Sequence, residues 1–340
     1  MADSGGHWAN LAEVEKLSQS KLLKGVVDIA PKRGPVLSEL PIRQVSGLST
    51  KWNRSDTRRT ATRMAIGQEL LWTDNVTYTQ MDLRLAQFYD QTPLNKFVRD
   101  VYKDKTDYAT QQLLEMRTGI IETLNDALIY DDSDYTDLHM RGLYHWAVDN
   151  AGTDGYIDNG EAALSFMNVR KVLDYMSHGC DFMVMSYSLA RYIDQFYQDA
   201  GPASWAGTMG RIVWDKDEIG KPMMVWAGTP IIRSDYMVAE QANTGAGSDA
   251  RAKYSIGTAM YSILFVCKGK AQKQMVDPGA IIHFGGEDRA SGELFKVERF
   301  DKLEKYDAAG LRLVSYLNLG VGAPRACCAI YDITLDIPTP

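Results

Sequence analysis

The sequence predicts an α+β protein whose strands and helices fall into successive regions of the chain. Residues 42–91 hold two stretches rich in β-forming residues on either side of a polar segment, which is typical of a β-ribbon. Residues 92–130 repeat apolar side chains at helical spacing over an unusual length. Beyond Ala162, strand-like and helical runs alternate, and strand-like runs close the chain.

Residues 1–41 have the character of an arm outside the main body. Residues 11–27 hold apolar side chains at the spacing of a short amphipathic helix. The segment APKRGPVLSELP that follows contains three prolines and one glycine, which prevent regular structure. We therefore expect this arm to contribute little to the core.

The ribbon predicted at 42–91 has a cationic tip. Its first arm is IRQVSGLSTKWN, and its second arm, VTYTQMDLRLAQFY, alternates Met81, Leu83 and Leu85 with Asp82 and Arg84. The connecting segment RSDTRRTATR is too polar to bury. Because an isolated two-stranded ribbon is marginally stable in water, we expect it to lie on its own body or on a neighbouring molecule.

A long helix is predicted to follow the ribbon, with Thr92 as its N-cap and Pro93 in its first turn. Apolar residues then recur near the helical period: Leu94, Phe97, Val98, Val101, Tyr102, Tyr108, Leu113, Met116, Ile120, Leu124 and Ala127. About 37 residues would make a helix of roughly 55 Å. The apolar spacing is too irregular for a coiled coil, which favours a spine laid across a sheet.

The second half of the chain predicts a mixed domain and a closing set of strands. Helices are expected at EAALSFMNVRKVLDYM and at SLARYIDQFYQ, the latter capped by Ser186 or Ser188. Strands are expected at DFMVMS, RIVWD, PMMVWAG, TPIIRSD and YSILFVC. The closing strands are ELFKVERF, GLRLVSYLNLGVG and RACCAIYDITL.

Composition narrows the classes of function. The chain has 340 residues, of which 45% are hydrophobic and 24% charged, and a net charge of −7, which argues against sequence-specific nucleic-acid binding. No apolar run is long enough for a membrane span, and the first residues do not form a signal peptide, so we expect a cytoplasmic site of synthesis. The four cysteines lack metal-binding spacing and are expected to be buried free thiols.

The charges are unevenly distributed. Residues 43–72 carry six lysines and arginines against Asp56 and Glu69, whereas residues 122–161 carry ten acids against Arg141. Such asymmetry suits a protein that docks onto copies of itself, and two independently solvated surfaces are the alternative. The aspartates that end the predicted spine are interpreted as a hydrated surface loop, with a metal or catalytic cluster as the alternative.

No nucleotide-binding, hydrolase, kinase or zinc motif is present, so no catalytic residue and no cofactor is predicted. The segment NAGTDGYIDNGE has a partial EF-hand spacing, with Asp154, Asp158 and Glu161 as weak calcium-ligand candidates. Its first position is Asn150 and its third is Gly152, which removes one carboxylate and one side-chain ligand. A glycine- and aspartate-rich turn is therefore the preferred interpretation, and a calcium site the alternative.

The order of arm, ribbon, spine, mixed domain and closing strands resembles the major capsid proteins of tailed bacteriophages, which have the Hong Kong 97-type fold. The segment LAEVEKLSQSKLLKGVVDIAPKRGPVLSELPIRQVSGLSTKWNR is similar to the arm and first ribbon strand of one phage head-protein group. ETLNDALIY, followed by an acidic turn and Gly142, is similar to the end of its spine helix. The resemblance covers roughly residues 9–143, and beyond Ala162 it rests on element order.

This resemblance implies a division into an N-terminal arm, an extended loop, a spine with part of a peripheral domain, an axial domain, and returning peripheral strands. The corresponding ranges are 1–41, 42–91, 92–163, 164–286 and 287–340. It also implies a structural protein of the virion, assembled in the host cytoplasm. Its hexamers and pentamers would close an icosahedral shell around double-stranded DNA without sequence-specific binding. Implied partners are a separate scaffolding protein, a portal and a decoration protein.

The subunit interface implied by this reading joins the ribbon of one copy to the acidic loop of another. Its residues are Trp52, Arg54, Arg58, Arg59, Arg63, Asp131, Asp132 and Asp134. Some relatives crosslink a ribbon lysine to a neighbour. Because Lys51 is the only lysine in this ribbon and no partner asparagine is evident, no crosslink is expected.

Two other functions fit the sequence less closely. An encapsulin, the shell protein of a bacterial nanocompartment, would share the fold and enclose protein cargo instead of a genome. A soluble α+β enzyme or a calcium-binding module centred on the Asn150 turn would form a small oligomer.

Overall fold

The computed structural model describes residues 32, 34–47, 49–55, 61, 63–64, 66–67, 69, 76–95, 108–131, 139–199, 212–216, 222–226, 228–241, 258–270, 277–285, 295–301 and 308–339. Four sequence predictions concern residues outside these ranges. They are the helix at 11–27, the tip arginines Arg58 and Arg59, the part of the spine predicted at 96–107, and the loop aspartates Asp132 and Asp134.

The secondary structure of the described residues is mixed, as predicted. The helices are α1 (Val36–Glu39), α2 (Tyr108–Tyr130), α3 (Leu143–Val148), α4 (Phe166–Tyr175), α5 (Tyr187–Asp199) and the 3₁₀ turn Pro324–Ala326. The strands before α5 are β1 (Ile42–Val45), β2 (Ser49–Ser55), β3 (Tyr78–Arg84), β4 (Ala86–Asn95), β5 (Tyr156–Ser165) and β6 (Phe182–Met185). Those after α5 are β7 (Ile212–Lys216), β8 (Pro222–Trp226), β9 (Thr229–Arg233), β10 (Glu240–Gln241), β11 (Ala259–Val266), β12 (Ala280–Gly285), β13 (Lys296–Phe300), β14 (Ala308–Val321) and β15 (Cys327–Thr339).

The strands form two larger sheets and one ribbon. The first sheet has the order β1-β12-β14-β13, with β4 also paired to β14. The second has the order β5-β15-β11-β6-β9-β8-β7, with β10 also paired to β11. The 3₁₀ turn carries the chain from β14 of the first sheet into β15 of the second. One hydrophobic core runs through both sheets, because β14 and β15 contribute buried residues to the same cluster.

Helices cover these sheets. The spine α2 contacts β4 and β14 of the first sheet, whereas α4 and α5 lie on β15 of the second. Helix α3 contacts α2, β11 and β15, so it lies where the two sheets meet. The central strands are apolar on both faces, as expected of strands that are covered on both sides: all four residues of β6 and all six of β12 are buried.

The ribbon is confirmed, but it is shorter than predicted. Strands β2 and β3 pair antiparallel, from Ser49 opposite Arg84 to Ser55 opposite Tyr78. The residues at both ends of the predicted ribbon belong to the first sheet instead. Strand β1 runs parallel to β12, and β4 runs antiparallel to β14. The ribbon is therefore attached to the first sheet on both sides of its base.

The predicted start of the spine helix is wrong. Thr92 and Pro93 lie in β4, opposite Leu311 and Gly310 of β14. Among the described strands, β4 pairs only with β14, and a proline is tolerated on such an edge because its missing N–H breaks no ladder bond. The described spine, α2, has 23 residues and is about 35 Å long, and residues 96–107 of the predicted helix lie outside the described residues.

The predicted helix after the Asn150 turn begins later than expected. Tyr156–Ser165 is strand β5, which pairs parallel with β15, and α4 begins at Phe166. Gly160 and Glu161 have φ angles of 69° and 54°, which a right-handed helix excludes. Pairing with β15, more than 160 residues away in sequence, overrides the local helical signal of EAALS.

The segment APKRGPVLSELP was predicted to lack regular structure and to stay out of the core, but it contains α1, and its Val36 and Leu40 are buried in the core. The remaining described elements agree with the prediction. The strands β6, β7, β8, β9 and β11 and the closing strands occur where the sequence indicated. Ser186 is the cap of α5, because its Oγ accepts a hydrogen bond of 3.2 Å from the Leu189 N–H. No described helix combines the length and the apolar character that crossing a membrane requires.

Both sheets contain strands from both sides of residue 286, where the resemblance placed the end of the axial domain. Strand β12 lies in the predicted axial segment but joins the first sheet. Strand β15 lies in the predicted returning segment but joins the second sheet, beside β5 and β11. The last 60 or so residues therefore contribute strands to both sheets.

Candidate functional site: the base of the ribbon

The base of the ribbon is packed against the body of its own chain. Strand β2 alternates, with Trp52 buried between exposed Lys51 and Asn53. The Trp52 ring lies 6.5 Å from the ring of His283 on β12, at an interplanar angle of 15°. It also lies 6.5 Å from the ring of Trp146 on α3. Aromatic packing thus joins the ribbon to the first sheet and to α3.

Trp146 holds its own place firmly. Its side chain is fully buried, and its Nε1 donates a hydrogen bond of 3.1 Å to the Leu319 carbonyl of β14. The guanidinium carbon of Arg141 lies 4.2 Å from the Trp146 ring centre, which is the geometry of a cation–π contact. The surface that receives Trp52 is therefore fixed by α3 and β14 together.

An ionic group lies beside this aromatic group. Asp149, which follows α3, accepts a hydrogen bond of 2.6 Å from Nη2 of Arg141. Nη1 of Arg54, on the ribbon, lies 4.0 Å from the other Asp149 oxygen. The Arg54 Nε also donates to the carbonyl of Gly322 at 3.3 Å. The Asp149 carboxylate thus contacts both Arg141 of the body and Arg54 of the ribbon. We call Arg54, Arg141 and Asp149 the clasp.

The second ribbon strand is attached through Asn318. This fully buried side chain on β14 donates a hydrogen bond of 2.5 Å to the carbonyl of Arg84 on β3. Its Oδ1 accepts the backbone N–H groups of Arg141 and Leu319, at 3.2 and 2.7 Å. Since a buried amide is costly when its partners are lost, Asn318 ties the ribbon to the clasp region.

The acidic loop after the spine is closed by its first residue. Asp131 accepts hydrogen bonds from the Met140 N–H at 2.8 Å and from His139 Nδ1 at 3.1 Å. Its backbone carbonyl accepts the Gly142 N–H at 3.4 Å. The sequence placed Asp131 in a subunit interface, but in the structure its carboxylate joins the two ends of the loop.

The predicted interface residues therefore divide into groups. Trp52 and Arg54 are held by their own chain, Asp131 closes the loop, and Arg63 is exposed. Arg58, Arg59, Asp132 and Asp134 lie outside the described residues. Sequence reasoning did not identify Trp146, Asp149 and Asn318. The one available signal was Arg141, the single cation in an acidic segment.

The Asn150 turn is built into the protein through Asn150 itself. Its Nδ2 donates to the carbonyls of Pro324 and Cys327, both at 2.8 Å, and its Oδ1 accepts from the Tyr175 hydroxyl at 3.3 Å. Asp154, Asp158 and Glu161 are exposed, and β5 follows the turn where an EF-hand would have a helix. No cluster of three or more metal-ligating side chains occurs among the described residues.

The cysteines are free, as predicted, and three of the four are buried. Burial raises the pKa of the Cys180, Cys267 and Cys328 thiols to about 12, and that of Cys327 well above its usual range. These thiols are uncharged at neutral pH and therefore poor nucleophiles. Burial, together with the nearby Arg43 charge, lowers the pKa of His283 to about 4, so its ring is also neutral.

The described part of the ribbon is thus held to the body along its length, by Asn318 at Arg84, by aromatic packing at Trp52 and by the clasp at Arg54.

Comparison with solved structures identifies the architecture as the Hong Kong 97-type capsid fold. The SrpI encapsulin of Synechococcus elongatus has a TM-score of 0.63 at 14% identity, with 98% of both chains covered. The capsid of a native GTA particle has a TM-score of 0.58 at 16% identity, again over 98% of both chains. The capsid of cyanophage P-SCSP1u has a TM-score of 0.53 at 13% identity, over 93% of both.

Neither a protein-family model nor a curated protein matches the sequence. At identities of 13–16%, the likeness to solved structures establishes the fold that the sequence predicted.

Proposed function

We propose that this chain is a major capsid protein that assembles into the icosahedral head of a tailed bacteriophage. The supporting observation is the likeness to shell-forming proteins over up to 98% of the chain, including the encapsulin and the GTA capsid. The anchored ribbon agrees with it. A two-stranded projection whose base is fixed to the body has a defined direction before any partner is present.

In this proposal the chain forms hexamers and pentamers in the host cytoplasm and becomes part of the virion. Residues 1–41 form the arm, 42–91 the extended loop, 92–163 the spine and part of the peripheral domain, 164–286 the axial domain, and 287–340 the returning strands. Strand β12, in the proposed axial segment, pairs within the first sheet, and β15, in the proposed returning segment, pairs within the second.

The shell would enclose double-stranded DNA without reading its sequence. A net charge of −7 keeps a closely packed polyanion from binding tightly to the wall. A scaffolding protein, a portal and a decoration protein are the proposed partners. No catalytic residue or cofactor is assigned, because assembly needs complementary surfaces and no bond chemistry.

Contacts between copies would join the cationic ribbon tip to the acidic loop. Arg58, Arg59 and Arg63 supply positive charge at the tip, and Asp132 and Asp134 supply negative charge after the spine. Trp52, Arg54 and Asp131 already have partners in their own chain. They would therefore hold the ribbon and the acidic loop in position for this contact and would not themselves contact the other copy. Complementary charge of this kind sets orientation and partner choice.

A charge-swap experiment tests this contact. We expect Arg58→Glu with Arg59→Glu to prevent shell closure while the subunit keeps its thermal midpoint. Adding Asp132→Lys and Asp134→Lys to the same chain should restore closure. The control is Arg170→Glu with Lys171→Glu, which reverses two adjacent exposed cations on α4. Normal shells from the double arginine variant would refute the proposed contact.

Electron microscopy of the purified chain, with and without a candidate scaffolding protein, tests the assembly itself. We expect closed shells of megadalton mass, or free capsomers that close when scaffold is added. A chain that stays a small oligomer under all conditions would refute the capsid proposal and favour the enzyme or calcium-module alternative.

The likeness to an encapsulin supplies a second candidate function. Particles from infected cells should contain DNA that resists nuclease until the shell is opened. Particles that contain a defined protein and no protected DNA would instead identify an encapsulin-type compartment.

A further inference from the structure

Helix α3 is followed by two adjacent residues that hold different parts of the molecule. Asp149 belongs to the clasp, and its carboxylate lies 4.0 Å from the guanidinium of Arg54 on the ribbon. Asn150 is only 1% exposed, and its Nδ2 donates hydrogen bonds of 2.8 Å to the carbonyls of Pro324 and Cys327. The ribbon and the start of β15 are therefore held by neighbouring residues of one short segment.

The 3₁₀ turn Pro324–Ala326 is where the chain passes from the first sheet to the second. On its first-sheet side, the Gly322 carbonyl accepts a hydrogen bond of 3.3 Å from Nε of Arg54. On its second-sheet side, Cys327 begins β15. We call residues 322–327 the crossover turn. The ribbon thus reaches this turn directly through Arg54, in addition to the route through the end of α3.

The contacts along the second route hold the end of α3 in place. The side chains of Arg54 and Asp149 are only 18% and 24% exposed, so salt and water screen their attraction incompletely. Asn150 also accepts a hydrogen bond of 3.3 Å from the Tyr175 hydroxyl, so both the nitrogen and the oxygen of its amide have partners. Because a buried amide is costly when its partners are lost, Asn150 and the two carbonyls that it bonds should move together.

We propose that the end of α3 couples the position of the ribbon to the arrangement of the two sheets. A movement of the ribbon base displaces Arg54, which acts on the crossover turn directly at Gly322 and also through the end of α3. The start of β15, and with it the second sheet, then shifts relative to the first sheet. Because coupling between two sites is reciprocal, a change at the crossover turn also loosens the ribbon.

This coupling is a property of the free subunit and has a consequence in the capsid proposed above. There, the ribbon of one copy would be held by a neighbouring copy. The two sheets of a subunit would then respond to the presence of that neighbour. The consequence rests on the proposed function, whereas the coupling itself is measured in the free subunit.

Hydrogen exchange of the full-length free subunit, followed by mass spectrometry, tests the coupling. Arg54→Gln removes the charge that faces Asp149 and shortens the donor that reaches Gly322. We expect exchange to quicken about fivefold or more in peptides that cover β2 and also in those that cover the start of β15. The buried strand β6, in the middle of the second sheet, should keep its exchange rate.

Lys51→Gln is the matched control. It also replaces a cation of β2 by glutamine, but Lys51 pairs with exposed Asp82 of the ribbon itself, so exchange in β15 should not change. Arg54→Lys keeps the charge but loses the planar guanidinium that reaches two acceptors, and it should give a smaller change of the same pattern. An increase confined to the ribbon in both Arg54 variants would overturn the proposal. An equal increase in β6 would do the same, because it would indicate a general loss of stability.

The reverse direction is tested at Asn150. Asn150→Ala removes both bonds to the crossover turn, whereas the milder Tyr175→Phe removes only the hydroxyl that donates to the Asn150 amide. Each variant should quicken exchange in β2 and β3, and Tyr175→Phe should do so by less.

Tyr192→Phe, at an exposed position of α5, is the control and should leave the ribbon unchanged. Unchanged ribbon exchange in both Asn150→Ala and Tyr175→Phe would overturn the proposal, because the coupling would then not be reciprocal. Since every rate is measured in the free subunit, coupling can be found in a chain that never assembles, and shells can form from a chain without it.

Discussion

The carboxylate of Asp149 accepts a hydrogen bond of 2.6 Å from the guanidinium of Arg141, whose side chain is only 9% exposed. The same carboxylate lies 4.0 Å from Arg54 of the ribbon. The buried Arg141 guanidinium is stabilised by a carboxylate partner, and the position of Asp149 that provides it also lies within reach of Arg54. The end of α3 thereby determines where the base of the ribbon lies.

Asp149→Asn should destabilise the subunit by about 3 kcal/mol, because it leaves the buried Arg141 charge without its counter-ion. Urea unfolding of the purified subunit measures this loss. The control is Asp82→Asn, which removes the exposed partner of Lys51 and should cost no more than about 1 kcal/mol. Equal losses in the two variants would mean that the Arg141 pair is as weak as a surface pair.

Asn318→Ala should loosen the ribbon and lower stability by about 3 kcal/mol. The substitution removes the partner of the Arg84 carbonyl and of two backbone N–H groups, at about 1 kcal/mol or more for each buried group. Hydrogen exchange should quicken in β2 and β3. Asn53→Ala, at an exposed ribbon position, is the control and should change neither quantity. Unchanged exchange in Asn318→Ala would show that the ribbon is held without this side chain.

How far the sequence predicts the fold depends on how local each signal is. The alternation of Met81 and Leu83 with Asp82 and Arg84 identified β3 because a period of two is visible within one strand. Thr92 and Pro93 suggested a helix start, but they pair with β14, more than 200 residues away. Pairing with a distant strand leaves no mark on the local pattern.

The same limit applies to the site. The sequence suggested Trp52 and Arg54 as residues of a subunit interface, and in the structure both contact residues of the same chain. Their partners Trp146 and Asp149 lie about 95 residues further along, and nothing in the sequence connects the two segments. Buried Asn318 resembles any other polar residue of a strand. The hydrogen bond from Asn318 to the Arg84 carbonyl can be recognised only when the strand register is known.

Acid should destabilise the protein partly through His283. Burial and the nearby Arg43 lower its pKa from 6.5 to about 4, whereas the unfolded chain takes up the proton near 6.5. The stabilising contribution of the neutral ring is therefore complete above pH 6.5 and is lost as the pH falls towards about 4. His283→Gln should flatten the fall in the urea midpoint across this window.

The control for the acid experiment is His178→Gln, because His178 is exposed. That variant should keep the pH dependence of the wild type. A slope that stays the same in His283→Gln would mean that His283 is already protonated in the folded protein, or that it contributes nothing to the acid sensitivity.

The four cysteines should resist alkylation in the folded subunit. Burial raises the pKa of Cys180 to about 12 and that of Cys327 well above its usual range, so little thiolate is present near neutral pH. Iodoacetamide labelling followed by mass spectrometry should show slow modification in buffer and fast modification of all four in urea. Rapid labelling of Cys327 in the folded subunit would contradict its burial.

Gly142 should be intolerant of any side chain, because it lies against the end of the spine helix. A Cβ at this position would lie 2.8 Å from the Ile129 carbonyl oxygen and 2.9 Å from that of Ala127. These are backbone atoms of the last turn of α2, which cannot move aside without breaking the helix end. We expect Gly142→Ala to cost about 1–3 kcal/mol, as overpacking generally does.

The matched control is Gly119→Ala in the middle of the same helix. A Cβ there meets no atom within 4 Å, and replacing a mid-helix glycine by alanine should stabilise the subunit by roughly 0.5–1 kcal/mol. The same substitution should therefore change the urea midpoint in opposite directions at the two positions. If both variants were stabilised, the acidic loop could not be closed against the spine as the bonds from Asp131 to Met140 and Gly142 require.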